Sequence, residues 1–224
     1  MALSNPSRFF VIPSVPSFPN QNRRDYTFST GSAQSDKVLV VVATMPNNRN
    51  FSSATYDGVS MGTPILNQSF GGLAQRQVVY ALANPSDGSN LLRLIFSGSQ
   101  FNGVSLAIYN FTDCGGVGNF GISGGATTPN IKTLTISDNS MIVATGISVA
   151  SQNGQDYTIA TVDYGLLYQH NVNDQVCGNI STNIPSGLRT VTTRTGSGTV
   201  TNVRVEILEQ ASSTTNNGNF FLTL

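Results

Sequence analysis

The sequence predicts an all-β protein, a two-sheet antiparallel β-sandwich carrying extended N- and C-terminal arms, and three observations carry that reading. The first is a pair of alternating runs, Leu91 to Tyr109 and Leu188 to Leu208, each broken by a Gly/Ser turn. Leu92, Leu94 and Phe96 fall on one side of an extended chain, Ser97-Gly98-Ser99 interrupts it, and Val104, Leu106 and Ile108 resume. The later run has Val191, then Gly196-Ser197-Gly198, then Val203, Val205 and Ile207 opposite Arg204 and Glu206. Period two means strands with one buried face. The second observation is composition: glutamate occurs only at Glu206 and Glu209 and lysine only at Lys37 and Lys132, while Gly, Asn, Ser and Thr are plentiful. Strong helix formers are scarce where β-branched and turn residues are common. The third is recurrence, because the same strand pattern returns about one half-chain later.

Taken in order, residues 1–30 read as an extended, proline-rich arm. Pro13, Pro16 and Pro19 recur at every third position among Phe9, Phe10, Val11, Ile12, Val15 and Phe18, a spacing that suits polyproline II with apolar side chains offered to a partner surface. The body of the sandwich is expected over residues 31–210, with its start near Tyr26. Lys37 to Met45 is a nearly continuous apolar strand ended by Pro46-Asn47-Asn48, the pattern of a strand covered on both faces. Tyr56-Asp57-Gly58-Val59 is a two-residue hairpin signal. Gln77 to Leu82 is another strand, closed by Asn84-Pro85-Ser86-Asp87-Gly88, and Leu91 to Phe96 and Val104 to Phe111 follow. A second series opens at Asp138-Asn139-Ser140-Met141-Ile142-Val143-Ala144, which echoes Asp36-Lys37-Val38-Leu39-Val40-Val41, and the final run, read as a hairpin, echoes the expected hairpin of Leu91 to Phe111. Residues 211–224 form a polar linker and an apolar tail, Phe220-Phe221-Leu222-Thr223-Leu224. Leaving such side chains in water forfeits roughly 1.5–3 kcal/mol each, so a docking site is expected for them.

With 224 residues, a formal net charge of +0 and 10% charged residues, the chain has no general attraction to nucleic acid or to an anionic membrane. So weakly charged a surface favours permanent assembly over life as a dilute monomer. The apolar stretch Phe9-Phe10-Val11-Ile12 is stopped by Pro13 before it reaches signal-peptide length, and Val38 to Ala43 is too short to cross a bilayer. A chain made in a cytoplasm, with free thiols at Cys114 and Cys177 rather than a bridge, is the expectation.

No catalytic constellation stands out, and no cofactor or metal is expected. Gly116-Val117-Gly118-Asn119-Phe120-Gly121 matches the glycine string of dinucleotide-binding loops, but Ile122-Ser123-Gly124-Gly125-Ala126-Thr127-Thr128-Pro129 follows where the phosphate-binding helix should run. A mobile glycine-rich loop at one end of the sandwich accounts for the string. His170 lies near Asp163 and Asp174 without a nucleophile elbow. The carboxylates mostly occupy turns, as in Asp57-Gly58, Asp87-Gly88 and Asp138-Asn139. Glu206 and Glu209 are three apart and so point to opposite faces. Asp156, Asp163 and Asp174, with Asn153, Asn171 and Asn173, are the one dense patch of oxygen ligands, but no calcium-loop motif orders them. The glycosylation strings at Asn50, Asn67, Asn110 and Asn179 arise readily in a chain this rich in Asn, Ser and Thr.

The succession of Lys37-Val38-Leu39-Val40-Val41-Val42, Thr55-Tyr56-Asp57-Gly58-Val59-Ser60-Met61, Val79-Tyr80-Ala81-Leu82-Ala83-Asn84-Pro85 and Leu94-Ile95-Phe96-Ser97-Gly98 resembles jelly-roll domains of bacterial surface proteins and bacteriophage virion proteins. In those domains a tyrosine-glycine-glycine-valine hairpin, an asparagine-proline strand end and a serine-glycine turn recur in this order. Here Asp57 replaces the first hairpin glycine and tryptophan is absent. The resemblance covers residues 36–209, implies a jelly-roll sandwich and transfers no catalytic residue. Taken with the missing signal peptide, the weakly charged composition and the two apolar arms, it leads to the expectation of a viral structural protein, of a tailed bacteriophage, that decorates or cements a capsid or belongs to a fibre or appendage. The partners would be copies of itself, a trimer by analogy, and virion proteins such as a major capsid protein. Phe9, Phe10, Val11, Ile12, Phe18, Phe220, Phe221 and Leu222 are the expected anchoring residues. The rival class is a carbohydrate-binding module or receptor-binding adhesin that takes a host-surface glycan on the end loops Gly115 to Gly125 and Asn171 to Asn183. Its stacking candidates are Phe120, Tyr157, Tyr164 and Tyr168.

Overall fold

The computed structural model describes residues 8–12, 18–19, 22–31, 36–46, 50–70, 75–97, 100–101, 104–127, 130–147, 158–161, 166–172, 175–194 and 199–210. In chain order the strands of the first half are β1 (Arg8–Ile12), β2 (Phe18–Pro19), β3 (Arg23–Ser29), β4 (Val38–Pro46), β5 (Asn50–Tyr56), β6 (Val59–Ser60), β7 (Leu66–Phe70), β8 (Gln75–Ala83), β9 (Ser89–Ser97), β10 (Gln100–Phe101) and β11 (Ser105–Phe111). Those of the second half are β12 (Cys114–Thr127), β13 (Asn130–Ile136), β14 (Ser140–Ile147), β15 (Thr158–Thr161), β16 (Leu166–Val172), β17 (Gln175–Ile184), β18 (Gly187–Arg194) and β19 (Thr199–Glu209). The protein is all-β, built from antiparallel sheets packed face to face. Among the described residues no helix is long and apolar enough to cross a membrane.

The sandwich occurs twice. In the first half the sheet β1-β11-β4-β8-β7 lies against the sheet β3-β9-β5-β6, and in the second half β12-β19-β14-β17-β16 is accompanied by β13-β18-β15. Position by position, the two large sheets have the same order, and β3-β9-β5 of the small first sheet matches β13-β18-β15, β6 being an addition to the first. The registers agree as well: Phe111 pairs with Val38 as Ile207 pairs with Met141, and Ile108 pairs with Val41 as Arg204 pairs with Ala144. Asp36 (φ 61°) and Asn139 (φ 57°) occupy the same left-handed position just before β4 and β14, a conformation that short polar side chains tolerate best. The echo between the segments opening at Asp36 and Asp138 is thus a repeat of architecture, with the strand registers matching Asp36 to Asn139, one residue along.

Two apolar cores follow from the alternation along the central strands. On β4, Leu39, Val41, Ala43 and Met45 face the small sheet, where they meet Phe28, Phe51, Ala54, Tyr56, Leu92, Leu94 and Phe96. Val38, Val40 and Val42 face the other way, into a cluster with Ala107, Tyr109 and Phe111 of β11 and Met141, Val143, Ile147, Val203, Val205 and Ile207 of β14 and β19. The second cluster joins the two large sheets, so β4 is buried on both faces, as its unbroken apolar sequence predicts. Gln77 of β8 crosses this junction, its Nε2 donating to Thr145 Oγ1 of β14 at 2.9 Å.

The alternating runs that identify the fold are not paired hairpins. Leu92, Leu94 and Phe96 share a core with Val104, Leu106 and Ile108, yet β9 pairs with β3 and β5 while β11 pairs with β1 and β4. The strands on either side of the Gly/Ser turn therefore belong to opposing sheets, each pointing its apolar side inward. β18 and β19 repeat the arrangement. The Asp57-Gly58 turn does close a true hairpin, with φ of 52° and 74°, as a two-residue type I′ loop requires.

Candidate functional site

The glycine string at residues 116–121 lies on β12, an edge strand hydrogen-bonded to β19. This corrects the expected end loop over Gly115 to Gly125, and the physical reason is the neighbouring strand. A side chain at Gly118 would fall on the Glu206 carboxylate, and one at Gly121 on the Arg204 guanidinium. Glycine leaves room where β19 sends large side chains against the β12 backbone, and at Gly115 an added Cβ would meet the Glu209 backbone oxygen itself. The rest of the string accommodates strand irregularity, with register shifts between Cys114 and Gly116, Val117 and Phe120, and Ser123 and Ala126.

Glu206 and Arg204 are 0% and 5% exposed, which the sequence reading of an open face opposite Val203, Val205 and Ile207 does not anticipate. Where the first sandwich turns Leu106, Ile108 and Asn110 inward from β11, the second turns Asn202, Arg204 and Glu206 inward from β19. Glu206 Oε1 accepts from Ser137 N at 2.6 Å and Ser140 Oγ at 2.8 Å, and Oε2 accepts from Asn119 N at 2.8 Å. Three donors thereby satisfy a carboxylate that burial would otherwise penalise heavily. Asn202 Nδ2 donates to Asn130 O and Val191 O at 2.9 and 2.8 Å. Arg204 Nη1 donates to Asn202 O and Oδ1 at 3.1 and 3.0 Å, its Nε has no partner among the described residues, and burial lowers its pKa. The first half holds its equivalent corner more economically, Asn110 Nδ2 donating to Thr30 O at 3.0 Å. Glu206 and Asn110 each clamp the crossover from the small sheet to the large one, which gives this buried carboxylate a structural role.

The residues expected to anchor partners are placed as follows. Phe9, Phe10, Val11 and Ile12 lie on β1, whose backbone pairs with Tyr109, Ile108, Ala107 and Leu106 of the same chain. Phe18 lies on β2 and pairs with Phe101. The side chains of these residues, and the whole of Phe220, Phe221 and Leu222, lie outside the described residues. Of the aromatics proposed to stack on sugar, Phe120 is 51% exposed but stands on the β12 edge strand rather than on a loop. Tyr168 belongs to β16, its side chain outside the described residues, as are Tyr157 and Tyr164. Most of the second expected loop, Asn171 to Asn183, is also strand: β16 runs to Val172 and β17 from Gln175.

Three surface features remain. Phe120 and Ile122, 51% and 39% exposed, pair with Val205 and Val203 and so project from the same side of their sheet, where its inner side chains pack on the first sandwich. On the outer face of the small second sheet, Ile131 and Leu188 are exposed beside Thr133, Thr135 and Thr190. On the small first sheet, Arg23 and Arg93 both hold Asp25, each with Nε at 3.0 Å from Oδ1, and the bond from Arg23, then that from Arg93, brings the Asp25 carboxyl down to about 2. Cys114 is buried and unbridged, with its thiol pushed up to about 12 chiefly by burial and then by Asp113, so it is no nucleophile. No group of His, Cys, Asp and Glu among the described residues could hold a metal ion.

No protein family, curated protein or solved structure matches this chain.

Proposed function

We propose that this chain is a structural subunit of a virus particle, a bacteriophage capsid decoration or cement protein or a component of a fibre or appendage. Its work is mechanical: it holds a shape and makes contacts with copies of itself, as a trimer, and with neighbours such as a major capsid protein. One observation carries the reading, the fusion of two sandwiches of like topology into one block through a continuous apolar junction between their large sheets. Close-packed interiors are stiff and transmit strain, and a doubled sandwich gives a rigid module with both polar and apolar outer faces. The strand order supports the jelly-roll resemblance, since consecutive strands β3, β4 and β5 alternate between facing sheets, as do β13, β14 and β15. The low charge of the chain supports life within an assembly.

Quantitative mass spectrometry of purified particles tests the reading. The chain is expected at a fixed, multiple copy number per particle, retained through density-gradient banding and mild salt washing. Recovery only in the soluble lysate, with none in banded particles, overturns it.

A further inference from the structure

Arg204 is a buried cation without a counter-ion among the described residues. It is 5% exposed, and the ion pairs described involve Arg23, Lys37 and Arg93 instead. Asn202 holds one end of the guanidinium, its backbone and side-chain oxygens accepting from Nη1 at 3.1 and 3.0 Å. The other edge, Nε with Nη2, has no acceptor among the described residues. A buried N–H left unpaired is costly, and more so on a charged group.

The fold itself does not call for that charge. Arg204 pairs with Ala144 as Ile108 pairs with Val41, so the equivalent position of the first sandwich holds an isoleucine that is 0% exposed. On the next strand outward, β1 places Phe10 opposite Ile108, whereas β12 places Gly121 opposite Arg204. The second sandwich thus has a cation where the first has an aliphatic residue, and a glycine where the first has an aromatic one. A Cβ at Gly121 would fall on Nη2 and within 3.0 Å of Nε, so glycine keeps this edge of the guanidinium clear.

The edge is turned toward the open side of the sandwich, where β12 ends the large sheet and β13 ends the small one. Two side-chain bonds tie these strands, Asn119 Nδ2 to Thr135 O at 3.0 Å and Asn130 Nδ2 to Gly124 O at 3.2 Å. Gly121 lies between the ties on β12, and Lys132 lies between them on β13. Lys132 shares the inward parity of the buried Asn130 and Leu134 yet is itself exposed, which puts its charge at the rim of the same opening.

We propose that Arg204 and Lys132 form an anion site between β12 and β13, whose ligand is a carboxylate held by the Nε–Nη2 edge of Arg204. Two parallel N–H groups match the two oxygens of a carboxylate, and the clearance left by a glycine suits a flat group better than a tetrahedral one. Asn202 is a positioning residue that fixes the guanidinium by its Nη1 end, and Lys132 adds attraction at the rim. The carboxylate belongs either to a free acid or to an acidic sugar. This site is separate from the assembly reading, and either stands if the other fails.

The natural chain is titrated with sodium acetate, sodium glucuronate and sodium phosphate, each exchanged against chloride at about 0.15 M ionic strength. Binding is followed by the arginine Nε–H signals and the Gly121 amide signal in nitrogen-15 NMR. Arg204→Ile carries the residue of the first sandwich at the equivalent position and should fold. It identifies the Arg204 signal by its loss, and its Gly121 amide should no longer respond. Acetate or glucuronate is expected to move the Arg204 signal of the natural chain saturably, with phosphate weaker than at least one of them. Gly121→Ala should weaken binding at least about tenfold by covering the edge that makes both bonds. Lys132→Gln, an exposed change that leaves folding intact, should weaken it roughly two- to fivefold, and keeps the proposal open to refutation if Arg204→Ile does not fold. Tighter binding of glucuronate than of acetate assigns the carboxylate to a sugar, and equal or weaker binding assigns it to a free acid. No saturable response to either carboxylate overturns the proposal. So does phosphate binding at least as tightly as both, a Gly121 response that persists in Arg204→Ile, or undiminished affinity in Lys132→Gln.

Discussion

Glu206 shows how much one buried side chain can fix. Its carboxylate gathers the N–H groups of Asn119 and Ser137 and the hydroxyl of Ser140, joining β12, the β13–β14 crossover and β19. Glu206→Ala should therefore cost about 2–5 kcal/mol, measured by denaturant unfolding, because three donors in a buried region lose their acceptor together. Gly118→Ala should cost about 1–3 kcal/mol by pressing on the same carboxylate. Gly124→Ala, where an added Cβ meets nothing within 4 Å, should change stability by no more than about 0.5 kcal/mol. Equal losses at Gly118 and Gly124 would mean that the close approach to Glu206 is unimportant. The sequence puts Glu206 opposite Val205 and Ile207, which is correct, but period two says only that two faces differ. It does not say how many layers cover them, and so the second buried face of β19 with its polar core is not legible from alternation alone.

At the scale of the element, strands rich in branched apolar residues declare themselves and strands rich in glycine do not. β4, β9, β11, β14 and β19 follow from their alternation or apolar continuity, and turns follow from Asp and Asn at left-handed positions, including Asp57, Asn84 and Asn139. β12 is concealed because Gly118 and Gly121 lower its intrinsic strand preference, and what keeps it extended is pairing with β19, a tertiary effect. The outer face of β3 and β9 shows a different principle, pairing of exposed charges. The folded Asp25 carboxyl titrates at about 2, below the ordinary aspartate value near 3.9. Its contribution to stability is present above that ordinary value and is lost as pH falls through the folded value. The natural protein's thermal midpoint should thus decline more between about pH 4 and pH 2 than that of Asp25→Asn, with the difference reduced by salt because the group is exposed. Parallel pH curves for the two proteins would remove the Asp25 pairing from the account of acid stability.

At the scale of the whole molecule, the doubled topology raises the question of whether the two sandwiches stand or fall together. Their junction is made by Val38, Val40, Val42, Tyr109 and Phe111 on one side and Met141, Val143, Ile147, Val205 and Ile207 on the other, all at most 2% exposed. Gln77 and Thr145 form a hydrogen bond within it, a polar tie between the two large sheets in an otherwise apolar junction. Neither half has an independent surface on this side, because removing one would expose a broad apolar face of the other. The natural chain should therefore unfold in denaturant as one cooperative transition, with tyrosine fluorescence and far-UV circular dichroism coincident. Glu206→Ala, which touches only the second sandwich, should shift that single transition to lower denaturant without splitting it. Val143→Asp places a charge in the centre of the junction, where it has no partner and must be desolvated, and there the two signals should separate as the halves lose their coupling. Two separate transitions in the natural chain, or no loss of coincidence in Val143→Asp, would show that the apolar junction does not bind the sandwiches into one stability unit.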